Sequence, residues 1–217
     1  MNRQPTTSGP SGAPMTTTNE MTSAPEWFGG AARNLAYQPI IQAFFMLVYA
    51  VWWIFAFPIV GTIAFAVVVI YAGIVVLLSV KDIRHSLQFA NIATPEGKLI
   101  GKKMGIVMGI SYGALWIAVI VLGVLGLWRW VLPVVALIIG IHFLPLAAVF
   151  SRRIDFALAP LAIVFAIVGL VLAAQPDISW QLVYGVTGIG SAITTGIYAT
   201  YILRGYRMMC HEAGVTR

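Results

Sequence analysis

From Pro39 to Val80 the chain runs for forty-two residues without a charged side chain. As one helix at ~1.5 Å per residue that stretch would reach about 63 Å, twice the ~30 Å hydrocarbon core of a bilayer. Two spans joined by a tight turn fit better. Pro58 and Gly61, in FPIVGT, are the natural place for the turn, because proline ends a helix and glycine tolerates a sharp reversal. Four further runs of similar length follow, and six spans are predicted at about 39–57, 58–80, 104–127, 131–150, 156–174 and 181–203. The chain is 60% hydrophobic and 9% charged over 217 residues, whereas about a quarter of the residues of a soluble domain are charged. The expected fold is therefore all-α: a polytopic membrane protein of six transmembrane helices, residues 37–207.

The formal net charge of +6 does not point to nucleic acid, because the basic residues form no face or stripe. They mark the loops instead. Arg33 precedes the first span; Lys81, Arg84, Lys98, Lys102 and Lys103 lie between the second and third; Arg152 and Arg153 lie between the fourth and fifth; Arg204 and Arg207 follow the sixth. The opposite side carries only Arg129 and Asp177. The positive-inside rule then places both termini in the cytoplasm, with Trp128, Trp130 and Trp180 at the outer interface. In the loop 81–103, Thr94-Pro95-Glu96 reads as an N-cap, a proline at the first helical position and an acidic first turn.

Residues 1 to about 25 are rich in Thr, Ser, Pro and Gly, a composition that buries too little surface to offset chain entropy. Residues 1–36 are expected as a disordered tail ending in an interfacial tether around Trp27, Phe28 and Tyr37, and 208–217 as a short C-terminal tail. No basic stretch followed by an apolar core opens the chain, so the first span is expected to serve as its own insertion signal. The single cysteine, Cys210, excludes an intrachain disulfide, and its neighbour His211 makes a poor metal signature. No cofactor is expected.

Gly101, Gly105, Gly109 and Gly113 recur every four residues, on one helix face, where another backbone can approach closely. The last span has a softer version in Gly188, Ala192, Gly196 and Thr200, beside a run of Thr187, Ser191 and Thr195. Such ladders serve packing within the chain or between copies, and spacing alone does not separate the two. Three spans per half also allow an inverted repeat, as in many transporters.

His142, in VLPVVALIIGIHFLPLAAVF, is the only acidic, basic or imidazole side chain within the six spans. A titratable group in hydrocarbon is costly unless it faces a partner or a wet cavity. Pro145, three residues on, cannot donate a backbone hydrogen bond and crowds the Ile141 carbonyl, so a kink is expected there. His142 lies eight residues from the end of its span, or about 12 Å at the helical rise. Counting the same depth into the other spans gives Tyr71, Ser111, Tyr112, Thr194 and Thr195. This polar layer is the candidate site. In one alternative, hydroxyls hold a neutral imidazole and merely orient packing, at ~0.6 kcal/mol per bond. In the other, the layer is a small cavity that takes a proton or a substrate group. The local ion partner expected for Asp155 is Arg152 or Arg153.

The spans contain no HExxH and no pair of carboxylates, so enzyme chemistry is not expected. Two functions remain: a small transporter for a small or amphipathic substrate, or a structural or partner-binding subunit that meets itself or another membrane protein. The stretch GIHFLPLAAVF at 140–150 resembles a segment of small, uncharacterised bacterial integral membrane proteins with a similar His-Phe-x-Pro turn. That resemblance spans eleven residues and implies a bacterial multi-span protein of the cytoplasmic membrane, with no site residue attached.

Overall fold

The computed structural model describes residues 24–217, and the expected disorder of residues 1–23 lies outside them. Every element among the described residues is an α-helix: α1 Phe28–Ala50, α2 Trp52–Ala56, α3 Pro58–Ser86, α4 Pro95–Val124, α5 Trp128–Phe150, α6 Arg153–Ala173 and α7 Trp180–Glu212. Six are long and apolar enough to cross a membrane, with α1 and α2 counting together as one span. The turn falls where proline and glycine placed it. Phe57 leaves the helical region at φ −137°, ψ 76°, and Pro58 opens α3. Gly61 has a different role from the expected one: it is helical, and a Cβ there would stand 1.9 Å from the Trp53 carbonyl oxygen. It allows α2 to lie against α3. Thr94 caps α4 as expected, its Oγ1 accepting from the Gly97 amide at 3.1 Å.

One expected boundary needs correction. Residues 28–36 are not a tether but the first turns of α1, with Phe28, Ala32 and Ala36 buried against Tyr206 and Cys210 of α7. The reason is the pair Gly29-Gly30, against which the 87–94 loop lies so closely that a Cβ on Gly29 would meet the Ala90 carbonyl at 2.0 Å. Arg33 then donates to the Phe89 carbonyl at 2.9 Å. The C-terminal segment is likewise not free. α7 continues to Glu212, Arg217 pairs with Asp82 at 2.5 Å, and His85 Nε2 donates to the Thr216 carbonyl at 2.8 Å.

α7 is the centre of the bundle, packed along α1, α2, α5 and α6 and touching α3. Its small residues make this possible. A Cβ on Gly188 would lie 2.4 Å from the Tyr49 carbonyl, and one on Gly190 would lie 2.4 Å from Phe165. The ladder Gly188, Ala192 and Gly196 therefore packs within the chain, and close backbone approach is the packing device available to helices in lipid. The neighbouring hydroxyls do not cross to other helices. Thr187, Ser191 and Thr195 each donate back to the carbonyl four residues earlier, the usual escape for a hydroxyl inside a helix.

The α4 ladder is the opposite case. Nothing among the described residues lies within 4 Å of a Cβ built on Gly101, Gly105, Gly109 or Gly113, so none of the described helices packs on this face. Among the described residues α4 packs mainly along α5, and Ser111 is its only buried residue. This asymmetry also removes the inverted repeat: α6 packs on α7 in the second half, whereas α3 and α4 do not pack together in the first.

Candidate functional site

Because α4 packs mainly along α5, a gap is left between α4 and α1, and this gap is a cavity of about 100 Å³ at the level of His142. Four helices line it in the half of the bundle that carries the basic loops. α5 contributes one face, Ile139, His142, Phe143, Leu146 and Phe150, at the spacings of three and four that a single helical stripe requires. α4 contributes Met104, Met108 and Tyr112, and α7 contributes Thr195 and Tyr198. α5 runs through Pro145 to Phe150 without a break, and the helix ends at Ser151 in the left-handed region at φ 53°.

His142 is 8% exposed, with its ring stacked on Phe143 at 5.0 Å between centroids. Nδ1 is buried against the Ile139 carbonyl of its own helix, short of hydrogen-bond geometry. That leaves Nε2 as the ring nitrogen available to the cavity. Among the described residues no hydroxyl from another helix holds the imidazole.

The expected polar layer is divided. His142, Tyr112 and Thr195 line the cavity together. Tyr71 does not: its hydroxyl donates to the Gly196 carbonyl at 2.9 Å and meets Thr200, in a separate crevice between α3 and α7. Ser111 and Thr194 are buried beside their neighbours but point elsewhere, and Thr194 Oγ1 has no partner. The cause is azimuth. Adjacent helical residues differ by about 100°, so Ser111 and Tyr112, or Thr194 and Thr195, share a depth without sharing a face.

Four polar lining residues were missed: Gln38, Gln42 and Tyr49 on α1, and Tyr198 on α7. Their signal was present in the spacing. Gln38, Gln42, Phe45 and Tyr49 recur every three or four residues along one face, and Tyr198 follows Thr195 by three.

At the mouth of the cavity, Arg152 Nη1 donates to the Tyr198 hydroxyl at 2.8 Å, and the guanidinium lies 4.2 Å above the Phe150 ring. The ion pair expected between Asp155 and Arg152 or Arg153 does not form. Asp155 is fully buried in the first turn of α6, and neither carboxylate oxygen has a hydrogen-bond partner. Arg152 and the Tyr198 hydroxyl lie near enough to act on its charge without closing a contact, beside the partial positive end of that helix.

The arrangement is a narrow, largely apolar slot with hydrogen-bonding side chains along it and a cation at its mouth. Among the described residues its lining contains neither a nucleophile paired with a base nor two facing carboxylates. The chain matches no family model, and no curated protein or solved structure matches it.

Proposed function

We propose that this protein binds a small, amphipathic or largely apolar molecule in the His142 cavity and carries it across the cytoplasmic membrane, with both ends of the chain on the cytoplasmic side. The observation that carries this is the imidazole: 8% exposed, free of hydroxyl partners, and bordering a cavity of about 100 Å³. The Nε2 that borders the cavity gains a partner from a bound ligand or water, and an unmet polar group at this depth costs about 1–3 kcal/mol. Met104 and Met108 face the slot from α4, and flexible thioethers adapt to irregular occupants. Attachment mainly through α5 gives α4 freedom to move away from α1, opening the slot toward lipid. The basic loops at this end support the cytoplasmic orientation through the positive-inside rule.

The test is saturable binding of a neutral apolar dye, N-phenylnaphthylamine, to the protein in phosphatidylcholine nanodiscs. Binding is expected in the native chain and lost at least tenfold in Met108→Trp, which fills the slot. Uptake of small amphipaths into proteoliposomes is expected to fall in His142→Leu, and unchanged uptake removes the histidine from the mechanism.

The exposed glycine face of α4 favours a second reading, a subunit that meets a second copy or another membrane protein through that face. A stable oligomer in mild detergent that dissociates in Gly105→Leu/Gly109→Leu supports it. A monomer in both chains counts against it.

A further inference from the structure

On the reading that the His142 cavity is a binding site, we propose that its occupant is a single-chain amphipath with an anionic head, seated chain-inward with the head at Arg152. Shape comes first. The α5 lining runs from Ile139 to Phe150 and the α1 lining from Gln38 to Tyr49, each about 16 Å at the helical rise. A volume of about 100 Å³ drawn out over that length leaves the width of one alkyl chain, too narrow for a two-chain lipid. Met108 and Leu146 face the interior, and no carboxylate, ammonium or guanidinium lines it. A charged head has no counter-ion there and stays at the mouth.

The mouth supplies the counter-ion. Arg152 touches two lining residues, donating one hydrogen bond to Tyr198 and covering Phe150. Among the described residues it closes no ion pair, Arg217–Asp82 being the one that forms; the buried Asp155 carboxylate acts on it from beyond contact distance and leaves its remaining donors open. A guanidinium has five donors in a planar fork suited to carboxylate or phosphate, and Tyr198 takes only one. Lys102 and Lys103, exposed two and one residues before Met104 of the lining, add to the positive field. Held between Tyr198 and Phe150, Arg152 is placed to receive an anion whose chain enters the slot beside it.

The experiment displaces N-phenylnaphthylamine from the protein in phosphatidylcholine nanodiscs with laurate, dodecyl phosphate, dodecanol and dodecylamine. Laurate or dodecyl phosphate is expected to displace the dye at least tenfold more tightly than dodecanol or dodecylamine. Arg152→Gln is expected to erase that preference and leave dodecanol unchanged, while Arg152→Lys keeps part of it. Dodecanol matching both anions, or a preference that survives Arg152→Gln in a chain that still binds dye, overturns the anionic class and leaves the cavity standing. Dye binding that is absent, or unaltered by Met108→Trp, overturns the cavity and this proposal with it.

Discussion

Arg152 Nη1 donates to the Tyr198 hydroxyl at 2.8 Å, and so the arginine that precedes α6 turns to the central helix instead of to the acid three residues along its own chain. Tyr198 thereby holds the short α5–α6 link at the mouth of the cavity. Asp155 is left fully buried, without a hydrogen-bond partner on either oxygen.

Removal of that charge is expected to stabilise the fold. A buried charge without a closed ion pair costs more than the ~1–3 kcal/mol of a neutral polar group, and the helix N-terminus, at ~0.3–1 kcal/mol, and Arg152, acting from beyond contact distance, offset only part of that. Asp155→Asn should raise the thermal midpoint in detergent, by the equivalent of about 1 kcal/mol or more. A lowered midpoint would mean that the carboxylate has a partner in the membrane, a function-bearing one included.

The two glycine ladders are expected to respond oppositely to substitution. Gly188 meets the Tyr49 carbonyl, with 2.4 Å to a built Cβ, and Gly109 meets nothing. Gly188→Ala should therefore cost about 1–3 kcal/mol through overpacking. Gly109→Ala should be neutral or gain up to ~1 kcal/mol of helix propensity. Thermal midpoints of the two variants measured side by side check this; equal losses would mean that the α4 face is covered by another copy.

At the basic end, Arg217 is 17% exposed at its side chain and Asp82 1%. Arg217→Ala leaves a buried carboxylate without its partner, a change that costs about 3 kcal/mol in buried pairs. The thermal midpoint should drop, and Asp82→Asn in the same chain should recover most of the loss. A further drop in the double variant would contradict the pair.

The spans were legible because lipid imposes one strong rule: a helix must keep about 20 uncharged residues in hydrocarbon. Thr94-Pro95-Glu96 and Phe57-Pro58 were legible for a local reason, the chemistry of caps and proline. Depth was legible too, since the rise per residue is constant, and it brought His142, Tyr112 and Thr195 to one level. The direction each residue faces was not, because it depends on which helices become neighbours. Tyr71 therefore lay in the wrong crevice, and Gln38, Gln42 and Tyr198 were overlooked. The start of α1 was hidden for a similar reason. Gly29-Gly30 resembles a flexible tether until the 87–94 loop is seen lying on it. The α4 ladder was a true packing signal by spacing, yet nothing in the sequence says that α4 joins the bundle mainly through α5.

Adjacent residues of α7 show whether the cavity beside His142 is accessible. Thr195 lines the cavity and Thr194 does not, although they are 4% and 1% exposed and equally deep. Single cysteines at each position, in a Cys210→Ser background, would be exposed to N-ethylmaleimide in nanodiscs. Thr195→Cys should be labelled at least tenfold faster than Thr194→Cys, and N-phenylnaphthylamine should slow only the former. Equal rates at the two positions, or no protection by the dye, would contradict the cavity.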